Sequence, residues 1–248
     1  MKLRLDENSY VLTDQGMDVS LPVKNGSENA RAWYCNDVLI EPVVGDGFIG
    51  DVNQGGAVNF KNITLNPHGN GTHTECVGHI SKEIYTINGC LKEFHFKAKL
   101  ISIEPKAFQE DLIMDRSMIE AQLTDLGENT ALLIRTLPNG DVKRTRDYSA
   151  SNPPYFTEEA MEFINDLGVK HLLIDLPSVD RESDGGKVAC HHIFWDYPNN
   201  PQLDKTITEL IYVPNEILDG DYFLNIQIMS LENDASPSKI MLYTIHQD

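Results

Sequence analysis

Hydrophobic and polar positions alternate along several stretches of the chain and recur at helical spacing along two others. Residues 94–103, FHFKAKLISI, alternate with period two and predict a strand. DVSLPV (18–23) alternates in the same way and predicts a half-buried strand. DYFLNIQIMSL (221–231) and KIMLYTI (239–245) flank the turn-rich NDASPS and predict a hairpin. RSMIEAQLTDL (116–126) places Met118, Ile119, Leu123 and Leu126 at helical spacing, with Gly127 as a stop. TALLIRT (130–136) is a short apolar strand, EEAMEFINDLG (158–168) an amphipathic helix ending in glycine, and VKHLLIDL (169–176) a second apolar strand. That order predicts a parallel βαβ unit with a right-handed crossover. Sites often lie beyond the carboxyl end of such a strand, and this one carries Asp175, Ser178 and Asp180. Residues 1–60 predict short strands joined by Gly- and Asn-rich turns. GDGFIGDVNQGGAVNF is too rich in glycine for a helix. The pattern predicts one mixed α/β domain over residues 1–248, with many antiparallel strands and few helices.

Charge narrows the partners. Thirty-eight acidic residues against 20 basic ones leave a formal net charge of −18 among 248 residues. Such a surface repels nucleic-acid phosphate and anionic lipid, so the expected partner is a small molecule. No run approaches the roughly 18 apolar residues of a membrane helix. The segment MKLRLDENSY has no apolar core of a signal peptide. The four cysteines (Cys35, Cys76, Cys90, Cys190) form no CxxC pair, which suits reduced thiols in the cytoplasm. The sequons at Asn25, Asn62 and Asn70 are then coincidental.

Candidate chemistry concentrates in HGNGTHTECVGH (68–79), which holds three of the eight histidines. Read as a strand, THTECVGH puts His73, Glu75, Val77 and His79 on one face, and Thr72, Thr74 and Cys76 on the other. Imidazole and carboxylate together suit a divalent zinc, manganese or iron ion. His68 has the wrong parity for a continuous strand, but Gly69 and Gly71 can break that parity. Cys76, facing away, reads as a small buried hydrophobe. A second pair, His191-His192, follows the glycine-rich SDGGKVAC, and reads equally well as a solvent-facing loop. Trp33, Tyr34 and Phe60 are candidates for an apolar wall against a ring-bearing substrate, although aromatics also fill ordinary cores. No G-x-S-x-G elbow is present to suggest a serine nucleophile.

This segment resembles the signature H-x-G-T-H-x-D-x-P-x-H of the cyclase-like metal-dependent hydrolases, a family that includes bacterial arylformamidases (kynurenine formamidases) and isatin hydrolases. Gly71-Thr72-His73 matches GTH, Glu75 stands at the acidic position and His79 at the last histidine. IDLPSVD (174–180), HHIFW (191–195), TELI (208–211) and DASPSK (234–239) are similar, in order, to later family segments, and DVSLPV to its first strand. The resemblance covers most of the chain. It implies a swivelling β/β/α fold and an arylformamidase-like hydrolase cleaving an amide, cyclic amide or ester bond of a small, aromatic substrate. It implies one or two Zn²⁺ or Mn²⁺ ions on His68, His73, Glu75, His191 and Glu209, with His79 as the general acid/base, in a homodimer or homotetramer. The H-x-x-L-L frame favours His191 over His192. Four departures stand out. The first motif histidine falls on Gly69, with His68 one place early; the aspartate is Glu75; the proline is Val77; and 18 residues separate His191 from Glu209. The rival readings are a metal-poor binding protein of the same fold, and a metal-assisted lyase or dehydratase.

Overall fold

The computed structural model describes residues 1–248. Its frame is one sheet of eight strands: β1 (Met17–Asp18), β2 (His73–Glu75), β3 (His95–Ile103), β4 (Ala131–Thr136), β5 (His171–Ile174), β6 (Thr206–Glu209), β7 (Gly220–Ile228) and β8 (Ala235–Thr244). Their spatial order is β7-β3-β4-β5-β6-β2-β8-β1, and β7 also pairs with β8, so the sheet closes on itself like a barrel. Strands β3, β4, β5 and β6 run parallel, and every other pairing is antiparallel. Four helices complete the frame: α1 (Ile87–Cys90), α2 (Arg116–Glu120), α3 (Glu158–Asp166) and α4 (Ala189–Trp195).

The alternation of β4 divides the core in two. Leu132 and Ile134 pack with Ile119, Met161, Ile164, Phe194 and Trp195 beneath the helices. Ala131 and Leu133 point the other way, to Leu100, Leu173, Leu224 and Ile240 inside the barrel. All six residues of β4 are buried, as expected for a strand covered on both faces. Helix α3 is capped by Thr157, whose hydroxyl accepts the Ala160 N–H, and ends before Gly168 in the left-handed region (φ 80°). No helix is long and apolar enough to cross a membrane.

The expected strands at 94–103, 130–136 and 169–176 and the βαβ unit are present within a residue or two of their predicted ends; the hairpin is present too, but its first strand stops at Ile228 and its second starts at Ala235, inside the stretch expected as a turn. Three elements differ. The helix expected over 116–126 stops at Glu120; Leu123 and Leu126 still reach the core, from turns. Of DVSLPV only Asp18 lies in a strand of the sheet, with Met17; beyond it the Val19 N–H still bonds to the Ile240 carbonyl, and the Leu21 N–H bonds to the Thr72 hydroxyl instead of a strand neighbour. HHIFW is helical, within α4.

Candidate metal centre

The site forms where β2 lies between β6 and β8. Cross-strand register sets His73 opposite Glu209, and Glu75 opposite both Ile207 and Ala235. Directly opposed residues share a face, so His73, Glu75 and Glu209 point together toward the helical layer. Thr74 and Cys76 face the other way: Thr74 pairs its hydroxyl with that of Thr208 at 2.8 Å, and Cys76 packs inside the barrel. The expected alternation of 72–76 therefore holds. Helix α4 delivers His191 from above. The Asp180 carboxylate accepts the Cys190 and His191 N–H groups at the start of that helix. His192 turns away and bonds its Nδ1 to the Tyr197 carbonyl.

His79 reaches the site by a different route from the one its spacing suggests. The strand ends at Glu75, and Val77–His79 is a 3-10 turn. Gly78 makes that turn possible, since a Cβ there would lie 2.1 Å from the Tyr85 carbonyl oxygen. The turn returns His79 Nδ1 to 3.7 Å from Glu75 Oε2.

His68 also reaches the site despite its offset. A side chain at position 69 would begin 2.2 Å from Cys35 Sγ, so only glycine fits there. Gly71 adopts φ 81°, and the loop between turns the His68 ring inward, 5.5 Å from that of His73 and 4.4 Å from that of His79.

The cluster has an inner and an outer part that share Glu75. On the inner side, His191 Nε2 lies 3.2 Å from Glu75 Oε1 and 3.9 Å from Glu209 Oε1. His73 Nε2 lies 3.4 Å from Glu209 Oε2. Four donors around a small divalent ion at bonds of about 2.1 Å stand about 3.4 Å apart, close to these separations. On the outer side, His68 Nδ1 lies 2.9 Å from Glu75 Oε2, with His79 beside it. The inner residues are at most 5% exposed, whereas His68, His79 and Asp234 are 21%, 32% and 25% exposed. The outer side is thus the mouth.

Two observations favour a cation at the inner group. First, His73 Nε2 and Glu209 Oε1 are buried with no hydrogen-bond partner. Leaving such groups unpaired costs about 1–3 kcal/mol each, or more for a charge. Second, the carboxylates and imidazoles are packed closely enough to shift one another strongly. Burial works to raise Glu75, but the fields of His79, His191 and His68 hold it well below the usual range. Burial, with the neighbouring Glu75 charge, raises Glu209. His68 and His191 are drawn up to about 10: burial opposes the shift, but Asp234 and Glu75 prevail at His68, and Asp180 and Glu75 at His191. A divalent ion binds such a set by displacing those protons.

The histidines differ in what lies behind them. His73 Nδ1 faces the Gly71 carbonyl at 3.1 Å, and His191 Nδ1 faces Asp180 at 2.5 Å. His68 Nε2 faces Asp234 at 2.7 Å. In each case the second ring nitrogen turns toward Glu75 or Glu209, the arrangement usual for metal-ligating histidine. His79 is different: its Nδ1 lies loosely among Glu75 and Asp234, at 3.7 and 3.5 Å.

Sequence reasoning left Asp180 and Asp234 without roles. Asp180 was legible as a carboxylate at a strand's end, but nothing local pairs it with a histidine eleven residues on. Asp234 meets Glu75 only through the register of β8 on β2. Of the expected aromatic wall, Trp33 and Tyr34 lie in the turn whose Ala32 N–H bonds to the Gly69 carbonyl, next to His68. Both are exposed with positive φ. Phe60 packs edge-on against Phe48, at 6.2 Å, in an outlying hairpin.

The family model described as "Putative cyclase" matches residues 17–181. A kynurenine formamidase from Bacillus cytotoxicus is 27% identical over 194 residues, covering 76% of this chain and 82% of its own. The fold is shared with isatin hydrolase A from Labrenzia aggregata, bound to benzyl benzoate (TM-score 0.67, 13% identity, 93% of each chain). It is shared also with a predicted metal-dependent hydrolase from Bacillus stearothermophilus (TM-score 0.62, 17% identity, 92% of this chain and 98% of the other).

Proposed function

This chain belongs to the cyclase family, and from that premise we propose that it is a metal-dependent hydrolase of non-peptide carbon–nitrogen bonds, acting like an arylformamidase on a small aryl formamide or cyclic amide. The observation that carries the reading is the inner group of His73, Glu75 and Glu209, with His191 3.2 Å from Glu75 and two buried atoms lacking a partner. Two imidazoles and two carboxylates suit zinc or manganese. An ion held there supplies Lewis acidity, polarising a carbonyl and lowering the pKa of water toward neutrality. The residues do the rest. Glu75 presents one oxygen to each side of the cluster. His79, at the mouth and free of a rigid partner, is placed to pass a proton to a departing amine, a task suited to imidazole near neutral pH. Trp33 and Tyr34, exposed in the turn bonded to Gly69, and Phe60 are proposed to offer aromatic surface to the substrate's ring. The cysteines are all unpaired, which suits a cytoplasmic protein, and the assembly is proposed as a homodimer or homotetramer.

Metal analysis of protein grown in replete medium tests this, coupled to assays on N-formyl arylamines, isatin and small lactams or lactones. At least one equivalent of transition metal is expected, with turnover of one of these substrates. Less than about a tenth of an equivalent would leave a binding protein of the same fold instead.

Asp180 offers a narrower check. Its carboxylate both accepts from α4 and fixes the rear nitrogen of His191. Asp180→Asn should weaken binding of the inner ion by about 10–100-fold, read by competition with a chelator, while circular dichroism stays unchanged.

A further inference from the structure

We propose that Asp234 is a positioning residue for His68, aiming that ring at the outer oxygen of Glu75, where the second of the two ions implied by the family resemblance would sit, held more weakly than the first. This rests on the hydrolase reading above and assigns a role to a residue outside the expected ligand set. Asp234 does for His68 what Asp180 does for His191. Its Oδ2 lies 2.7 Å from His68 Nε2, and the opposite ring nitrogen, Nδ1, lies 2.9 Å from Glu75 Oε2. With Nε2–H donated to Asp234, the Nδ1 lone pair is directed at the space beside Glu75. The offset of His68 makes such a hold necessary. Its ring arrives from a glycine-bounded loop, one place before the position that Cys35 closes to any side chain, so the backbone alone does not aim it. In place of a carbonyl such as Gly71 supplies to His73, a carboxylate from another strand takes the rear nitrogen.

Asp234 is itself well placed to bear this load. Its carbonyl accepts the Cys76 N–H at 3.0 Å, at the residue after Glu75, and the adjacent Ala235 pairs with Glu75 across β8 and β2. The main chain at Asp234 is therefore registered to Glu75 directly. A Cβ on Gly78 would lie 3.1 Å from Asp234 Cβ, so the turn bearing His79 is also pressed against this residue. The same Oδ2 stands 3.5 Å from His79 Nδ1, which keeps that half-exposed ring near the outer position.

Equilibrium dialysis of the full chain against Mn²⁺ and Zn²⁺ tests the proposal, with Asp234→Asn, His68→Ala, Asp234→Ala and the double variant His68→Ala/Asp234→Ala. Wild-type protein should take up two ions in two phases. Asp234→Asn should weaken the second by about 10–100-fold and leave the first unchanged. Because Asp234 acts through His68, Asp234→Ala should weaken binding no further in the His68→Ala background. A purely structural role would add its effect there and would lower the melting temperature, and that result overturns the proposal. So does unaltered second-ion binding in Asp234→Asn, or a wild type that saturates with one ion. Wild-type protein that binds no ion at all would remove the hydrolase reading itself, a result distinct from the others.

Discussion

His73→Ala protein is expected to lose the inner ion and, with it, essentially all turnover. His73 is fully buried, its Nδ1 is held by the Gly71 carbonyl, and its Nε2 points at the centre of the group without another partner. Removing it takes one of four donors from the inner set and leaves Glu75 and Glu209 facing each other with less positive charge between them. Lewis-acid assistance contributes several kcal/mol to such reactions, and each 1.36 kcal/mol is tenfold in rate. Loss of the ion should therefore lower kcat/KM by about 10³-fold or more. Metal content by mass spectrometry, alongside a thermal melt to show that the fold persists, checks the result. A full equivalent of tightly held metal with wild-type turnover would show that His73 is not part of the centre.

His79→Ala should give the opposite separation. The inner donors keep their positions, so the ion stays, but the proton path at the mouth is gone. General acid–base assistance contributes typically 10²–10⁴-fold, so kcat should fall by about that factor with KM little changed. The structural basis is that His79 is the most exposed histidine of the cluster and is held only at 3.5–3.7 Å. Retained metal with full turnover would remove His79 from the chemistry. Loss of metal would instead make it a ligand of the outer group, among the three donors it forms with His68 and Glu75. The pair of variants thus divides holding the ion from moving the proton.

Much of this centre could be read from the sequence because it lies on one short strand. Period-two alternation correctly puts His73 and Glu75 on one face and Cys76 on the other. Elsewhere alternation is not the governing rule. At Val77–His79 the Tyr85 carbonyl leaves room only for glycine, so the chain turns; His79 reaches the cluster, but by an i to i+4 return instead of along the pleat. Residues 121–126 carry apolar spacing fit for a helix yet pack into the core as turns, since burial of Leu123 and Leu126 requires only their position. The strands of the βαβ unit were legible since each is apolar and bounded by glycine or by polar runs. The contributions of Asp180 and Asp234 were hidden because they depend on cross-strand register and helix docking, which no local pattern encodes.

The closure of the sheet sets the order in which the centre can come into being. Glu75 is made early in synthesis, but the strand that bears it is framed by β6 on one side and β8 on the other, and both follow far later in the chain. Contacts so distant along the sequence form late and slowly. The chain bearing His73 and Glu75 thus precedes, by more than 130 residues, the strands that frame it on either side. Before those strands pair, it has two of its inner donors but not the geometry to bind with. An ion in the inner group would therefore depend on closure of the last hairpin, which brings β8 against β2.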